Sequence, residues 1–401
     1  MNRKMVSAVT LTLLLTSMLA LAFNIQPVKA SGTIYIRADG SIDPPTAPIS
    51  SVDNVTYTFT GNINNSIIVE RDNIVVDGAG YTLQGSGSGG DTGFGLSISN
   101  VTVKNTNIKG FGYGVFLWST YHTVISGNNI TASNDTGIIL WDSSNNTISG
   151  NNITGKSWTG IWLMGSSNNT ISGNNITNND GGIFLIDSSN NTISGNNITN
   201  NMGGIVFHYS SNNTISGNKV ANNGSGIVLF SSSNNSIVGN NITNNAMEGL
   251  VISESSDNSI YHNNFVNNTP QIYTYFSLNN WDDGYPSGGN YWSDHVGVDV
   301  KSGPGQDLPG GDGISDAPYI IDVVNQDNYP LMSPYEYWSN PIPGDINRDT
   351  KVDGRDLLTL AIAYGSQEGE GSYNPAADLD ESGKIDWRDL LTLARNYGKT
   401  A

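Results

Sequence analysis

A repeat constrains this chain more than any other feature. Ser143-Ser144-Asn145-Asn146-Thr147-Ile148-Ser149-Gly150-Asn151-Asn152-Ile153-Thr154 returns almost verbatim from Ser166, Ser188 and Ser210, with looser copies from Ser232 and Ser255. The equivalent isoleucines Ile148, Ile171, Ile193, Ile215, Ile237 and Ile260 set a period of 22 to 23 residues. Less regular turns are visible around Val124, Val103 and Val76. Each unit alternates apolar and polar residues in two or three short runs punctuated by Gly and Asn, which is strand periodicity with no 3.6-residue pattern. A unit this short cannot bury its own apolar face, so successive units must stack. Leucine-rich repeats share the length but need a Leu-x-x-Leu-x-Leu pattern that is missing. The repeat therefore predicts an all-β parallel β-helix, one coil per unit, with coils about 4.8 Å apart.

Stacking turns the units into columns. One inward column is Val115, Ile138, Ile161, Ile183, Ile205, Ile227 and Leu250; the next is Leu117, Leu140, Leu163, Leu185, Phe207, Leu229 and Ile252. The Asn-Asn pairs are expected at corners, where Asn tolerates left-handed backbone and its amide reaches the coil above. The intervening residues face outward: Phe116, Ile139, Trp162, Phe184 and Val206 in one column, Trp118, Trp141, Met164, Ile186, His208 and Phe230 in the other. A solvent-facing strand normally carries polar residues here. The stripe reads as a sugar-binding groove centred on Trp118, Trp141, Trp162 and Phe184, or as a face covered by a loop, the linker or another chain.

Composition limits the ligand. The formal net charge is -18, and no arginine lies between Arg71 and Arg348. Nucleic acid is excluded as a partner, because tracking phosphates needs clustered Lys and Arg. There is no cysteine, hence no disulfide framework and no thiolate chemistry. Residues 1–30 read as a signal peptide, with an uncleaved N-terminal anchor as the alternative: the positive Arg3-Lys4, an apolar run to about Phe23, and small residues ending in Ala30. No later segment is apolar and long enough to span a bilayer, so the mature chain is expected to be secreted, and any surface association to run through a partner.

The stretch 31–335 resembles the NosD-like branch of the pectin-lyase-like right-handed β-helices. The resemblance rests on Asn73-Ile74-Val75-Val76-Asp77-Gly78-Ala79-Gly80, the Ser-x-x-Asn-x-Ile-x-x-Asn-x-Ile coils, Gly289-Asn290-Tyr291-Trp292-Ser293-Asp294 and Asp312-Gly313-Ile314-Ser315-Asp316. The right hand is what the resemblance implies. Carboxylates offer a catalytic alternative: Asp142 and Asp187 share a column two coils apart, as do Asp135 and Asp180 at the other strand end. Two coils is about 9.6 Å, near the upper end of the separation in inverting glycosidases. The Gly-His-Gly and Arg-x-Lys motifs of polygalacturonase-like members are missing, and a polyuronate would meet an acidic wall. The copper association of the NosD name finds no support, since His122, His208, His262 and His295 do not converge.

Beyond a short Pro-punctuated linker at 334–343, a second repeat begins. Asp345-Ile346-Asn347-Arg348-Asp349-Thr350-Lys351-Val352-Asp353-Gly354-Arg355-Asp356 and Asp378-Leu379-Asp380-Glu381-Ser382-Gly383-Lys384-Ile385-Asp386-Trp387-Arg388-Asp389 each precede Leu-Leu-Thr-Leu-Ala. A twelve-residue calcium loop presents oxygen at positions 1, 3, 5, 7, 9 and 12. That selects Asp345, Asn347, Asp349, the Lys351 carbonyl, Asp353 and Asp356, then Asp378, Asp380, Ser382, the Lys384 carbonyl, Asp386 and Asp389. Hard oxygen ligands favour Ca2+ over transition metals, giving two expected sites. Residues 344–401 resemble a type I dockerin, a small all-α calcium module that docks a cohesin partner. Loop positions 10 and 11 carry that contact in the family; here they are Gly354 and Arg355, Trp387 and Arg388, in place of the usual small hydroxyl residues. The organisation expected is thus a signal peptide (1–30), a β-helix (31–275), its terminal coil and cap (276–333), a linker (334–343) and a dockerin-like module (344–401). The function expected is carbohydrate or surface-glycan binding by a non-enzymatic β-helix, with a polysaccharide-degrading glycoside hydrolase as the alternative.

Overall fold

The computed structural model describes residues 32–335, apart from 88, 132–134 and 156–157, and in the C-terminal segment 344, 346, 352–367, 377–380 and 382–399. The expected signal peptide, most of the linker, the loop-one ligands Asp345, Asn347, Asp349 and Lys351, and the side chain of Arg355 lie outside the described residues.

The chain winds into a parallel β-solenoid with three walls of twelve, eleven and ten strands. One coil takes Thr136–Trp141 on the first wall, Thr147–Ser149 on the second and Asn152–Thr154 on the third before returning as Thr159–Met164. Strands pair with the equivalent strand of the next coil in the register expected: Ile138 with Ile161, Ile139 with Trp162, Leu140 with Leu163, Trp141 with Met164. Both inward columns of the first wall are fully buried from Val115 to Ile252, and they meet Ile148 and Ile153 and their equivalents in one continuous core.

Corners are held by amide ladders. The Asn151 side chain accepts from the Asn128 backbone N–H, and its amide donates to the Ile125 carbonyl, the Ser149 carbonyl and Asn174 Oδ1. The same pattern runs on through Asn196, Asn218, Asn240 and Asn263 to Asn290. A second ladder runs from Asn146 to Asn279, and a third from Asn179 to Asn268. Each polar corner group thus satisfies a buried backbone group that would otherwise cost about 1–3 kcal/mol. Asn145, preceding the laddered Asn146, takes the left-handed backbone expected of it (φ 56°).

Residues 276–333 close the C-terminal end. Trp292 stacks on Phe265 at 4.5 Å and Tyr319 stacks on Trp292 at 4.2 Å, so a pile of rings seals the last coil. Asp327, fully buried, accepts from the Asn290 N–H, from Trp292 Nε1 and from the Tyr329 N–H. Burial pushes its carboxyl up to about 7 despite those donors. The acids of 299–316 serve the same segment's turns: Asp299 accepts from the Asp312 and Gly313 N–H groups, and Asp316 from Val300 and Lys301.

The C-terminal segment has its own small core of Ile346, Val352, Leu360, Ala363, Ala377, Ile385 and Leu393. Two α-helices, α1 (Gly354–Ala363) and α2 (Trp387–Asn396), follow the two loops. No described helix is long and apolar enough to cross a membrane.

Candidate functional site

The outer face of the first wall carries a row of rings. Trp118 and Trp141 lie face to face at 5.9 Å with 12° between their planes. Farther along, Phe184 stacks on His208 at 5.5 Å, and Phe230 meets His208 at 5.4 Å with the rings tilted by 44°. Register places Trp118 opposite Trp141 and His208 opposite Phe230, one coil spacing apart and within ring-stacking range, while Phe184 reaches His208 diagonally, being registered with Val206. Trp118 is 45% exposed, and Trp141 and Phe184 are half-buried.

Trp162, expected as a platform, is only 6% exposed, and its neighbour Ile139 is 1% exposed. Trp158 packs edge-on against Trp162 at 5.2 Å and leans on Phe184 at 6.2 Å. Trp162 is therefore a support beneath Trp158, and Trp158 presents the more accessible ring. Two polar atoms on this face have no partner: Trp162 Nε1 and His208 Nδ1 are both buried without a hydrogen bond. Burial holds His208 below the usual imidazole range, so its ring is neutral.

The four acids fall where the columns put them, in unlike settings. Asp142 and Asp187 are exposed, one residue past the strand end, with left-handed backbone (φ 48° and 49°). The chain runs through the same conformation on every coil, at Ser119, Gly165, Tyr209, Ser231 and Glu254. Asp tolerates this region better than most residues, which accounts for its presence. Tyr209 has no such excuse. It is 57% exposed and meets Phe230 edge-on at 6.1 Å, adding a ring that the strand alternation did not reveal. At the opposite strand end, Asp180 is exposed. Asp135 is held by Thr136 Oγ1 at 3.3 Å and by the Tyr113 hydroxyl; burial raises its carboxyl above the ordinary range. Trp158 stands between Asp135 and Asp180 in their column.

In the C-terminal segment Asp378, Asp380 and Asp389 bring carboxylate oxygens within 4.8 Å of one another. Backbone N–H groups hold them: Asp378 accepts from Ser382 and Gly383, and Asp389 from Leu379 and Asp386. Asp356 repeats the pattern in loop one, accepting from the Ile346 N–H at 2.7 Å and the Asp353 N–H at 2.9 Å. Ser382 lies beside the Lys384 carbonyl at 3.1 Å, while Asp386 serves as N-cap of α2. This all-oxygen donor set fits a hard divalent cation. Trp387 is 58% exposed, with the Arg388 guanidinium 5.5 Å from its ring centroid.

Two family models match the chain. The model described as "Periplasmic copper-binding protein (NosD)" matches residues 46–193 and 157–297, over half of the chain. The chain belongs to the NosD family. A second model, the type I dockerin domain, matches residues 343–396, so this NosD protein carries a dockerin domain at its C-terminal end. Copper, named in the family's description, finds no seat among the described residues. His262 Nε2 is engaged with the Ser287 carbonyl, His295 Nε2 with Ser315, and His208 stands between phenylalanine rings. The acidic trio of loop two is the one described group of three or more His, Cys, Asp or Glu able to hold a metal ion.

No curated protein sequence matches this NosD protein. Among solved structures, the Dettilon tailspike protein is similar at 15% identity and TM-score 0.43, covering 60% of this chain and 58% of its own. A variant of the periplasmic alginate epimerase AlgG is similar at 18% identity and TM-score 0.43, covering 58% and 68%. DFA-IIIase from Arthrobacter chlorophenolicus is similar at 14% identity and TM-score 0.44, covering 55% and 64%. Likenesses this distant carry no argument about activity.

Proposed function

We propose that this protein is an exported, surface-associated carbohydrate-binding β-helix, tethered to a cohesin-type partner through its calcium-dependent dockerin domain. The observation that carries the reading is the accessible row of rings on the outer first wall. Trp118 and Trp141 stack in one column and Tyr209 lies one residue past that column, while Phe184 and Trp158 stand toward the other strand end, so the rings spread an apolar face over successive coils. Held by their mutual packing, these rings offer a preordered apolar surface to the C–H faces of pyranoses and cost little ordering entropy. Calcium at the two loops would order the docking surface, where Trp387, Arg388 and Arg355 occupy the contact positions. Binding of the full chain to a panel of soluble glycans, with Trp118→Ala in parallel, tests the reading. Loss of binding in the variant supports it, and an unchanged isotherm removes it.

A second reading rests on Asp135. A carboxyl raised by burial, paired with the exposed Asp180 two coils away, has the asymmetry of a general acid and its partner. Asp142 and Asp187 lack that asymmetry, since both are exposed. Reducing-sugar release abolished by Asp135→Asn would favour a glycoside hydrolase over a binding protein.

A further inference from the structure

The corner between the first and second walls carries a column of asparagines that the fold does not use. Asn145, Asn168, Asn190, Asn212 and Asn234 hold one position on five consecutive coils, fixed by the pairing of Thr147, Thr170, Thr192, Thr214 and Ser236 two residues on. All five are exposed, with left-handed backbone (φ 56° to 58°). The residue after each is the buried, laddered asparagine of the corner, from Asn146 to Asn235. Their own side-chain amides make no hydrogen bond among the described residues. Each opens an Asn-Asn-Thr or Asn-Asn-Ser tripeptide whose third residue also reaches the surface.

Backbone geometry does not demand this residue. His122 and Asp257 hold the same position on the flanking coils, at φ 53° and 58°. The sheet does not demand a hydroxyl two residues on, since Val124 stands in that column. The exposed amide with an outward hydroxyl beside it is therefore extra to the fold. A second set of tripeptides, on the third wall, gives the contrast. Asn152, Asn175 and Asn197 also open Asn-Ile-Thr sequences, but their amide nitrogens donate along the outer ladder at 2.8, 2.7 and 2.6 Å.

Beyond the binding reading, and resting only on the export that it includes, we propose that the corner column is an acceptor array for N-linked glycans. Asn-x-Ser/Thr is the acceptor sequence of an exported chain, and a bulky glycan needs an amide that faces solvent. Transfer joins the asparagine Nδ2 to the anomeric carbon of a lipid-phosphate-linked oligosaccharide. The carbon–oxygen bond to the phosphate breaks, and the lipid phosphate leaves with that electron pair and takes the proton that the amide gives up. Acceptors on neighbouring coils are about 4.8 Å apart, which leaves no room for hydrated saccharide chains side by side. Glycans therefore occupy alternate coils, about 9.6 Å apart.

The test is mass-spectrometric site mapping of the full chain recovered from outside the cells that make it. Glycopeptides are expected at the corner column, with Asn152, Asn175 and Asn197 bare, and intact mass should show the column filled on alternate coils only. At a site found occupied, the matching hydroxyl substitution, Thr192→Val for Asn190 or Thr170→Val for Asn168, should remove that glycan and shift occupancy to the neighbouring coils. Strand circular dichroism should stay unchanged, because Val124 already fills this column. A bare corner column in the exported protein would overturn the proposal and leave export and glycan binding standing. Glycans on the third-wall asparagines as readily as on the corner would also overturn it, since a free amide would then not be what selects the site. A glycan retained after the hydroxyl is removed would overturn it as well. Protein found only inside the cells would overturn the export reading and this proposal together.

Discussion

Ile385 of the second calcium loop is bonded to Ser366, which follows the first helix: the Ile385 N–H donates to the Ser366 carbonyl at 3.0 Å. Val352 of the first loop answers with the residues after the second helix, donating to the Lys399 carbonyl at 3.0 Å and accepting from the Gly398 N–H at 2.8 Å. Each loop is thereby pinned to the end of the other half's helix, and both side chains are fully buried. With so small a core, the segment is expected to draw folding free energy from metal binding.

Two calcium ions are accordingly expected to bind the full chain. Chelation should abolish its helical circular dichroism while the strand signal persists. Asp389→Ala should remove one of the two binding events in a calorimetric titration. Helix content that survives chelation would refute the proposed dependence.

Burial and exposure separate the tryptophans of the outer face. Trp162→Ala empties a covered site and should cost about 3–5 kcal/mol, and the inward Ile161→Ala about 2–5 kcal/mol. Trp118→Ala removes an exposed ring and should cost about 1 kcal/mol or less while weakening glycan binding. Denaturant unfolding of the three variants measures the contrast.

An amide ladder on the outside of the third wall has one break. Asn152 donates to Asn129, Asn175 to Asn152 and Asn197 to Asn175, and Asn264 to Asn241, but Lys219 stands between Asn197 and Asn241. Asn197 Oδ1 is consequently buried with no partner. Lys219→Asn supplies the missing donor and should stabilise the solenoid by about 0.5–1.5 kcal/mol, seen as a higher denaturant midpoint at unchanged m-value.

The cap should respond to pH through Asp327. Its folded carboxyl is raised to about 7, above the ordinary value near 4 of an unfolded chain, chiefly by burial. The folded cap therefore holds a proton that the unfolded chain releases. Its contribution to stability is fully present below about pH 4 and is lost as pH rises through about 7. The cap should melt at lower temperature at pH 8 than at pH 5. Asp327→Asn lowers stability throughout, because its amide cannot accept all three N–H donors, and it flattens that slope.

Coil register was legible because the repeat is nearly verbatim: a column read through Ile138, Ile161 and Ile183 admits no other alignment. The loop-two acids were legible for the same reason, as ligand spacing along one strand of sequence. The Trp158 cover was not. Alternation tells which face of the sheet a side chain takes, and Trp162 does face outward, but it says nothing of a neighbour folding over it. Tyr209 escaped because it lies past the strand end, where alternation stops; its only signal is its place in the column of Asp142 and Asp187. The raised carboxyl of Asp135 comes from burial, with the Tyr113 hydroxyl one coil away working against it, and no local pattern announces either.

Tyr335, near the start of the linker, is its last described residue, and it is fastened to the final coil. Its N–H donates to Asn264 Oδ1 at 2.6 Å, its carbonyl accepts from Asn264 Nδ2 at 2.8 Å, and its ring stacks on His262 at 4.1 Å. Among the described residues, a pull carried along the chain from a docked C-terminal domain reaches the solenoid first at this residue. Its hydrogen bonds to Asn264 and its ring stacked on His262 take the load before the pairing between coils does. The anchor therefore works as a mechanical fuse: it yields first and lengthens the tether, and the coils that hold the ring row stay wound.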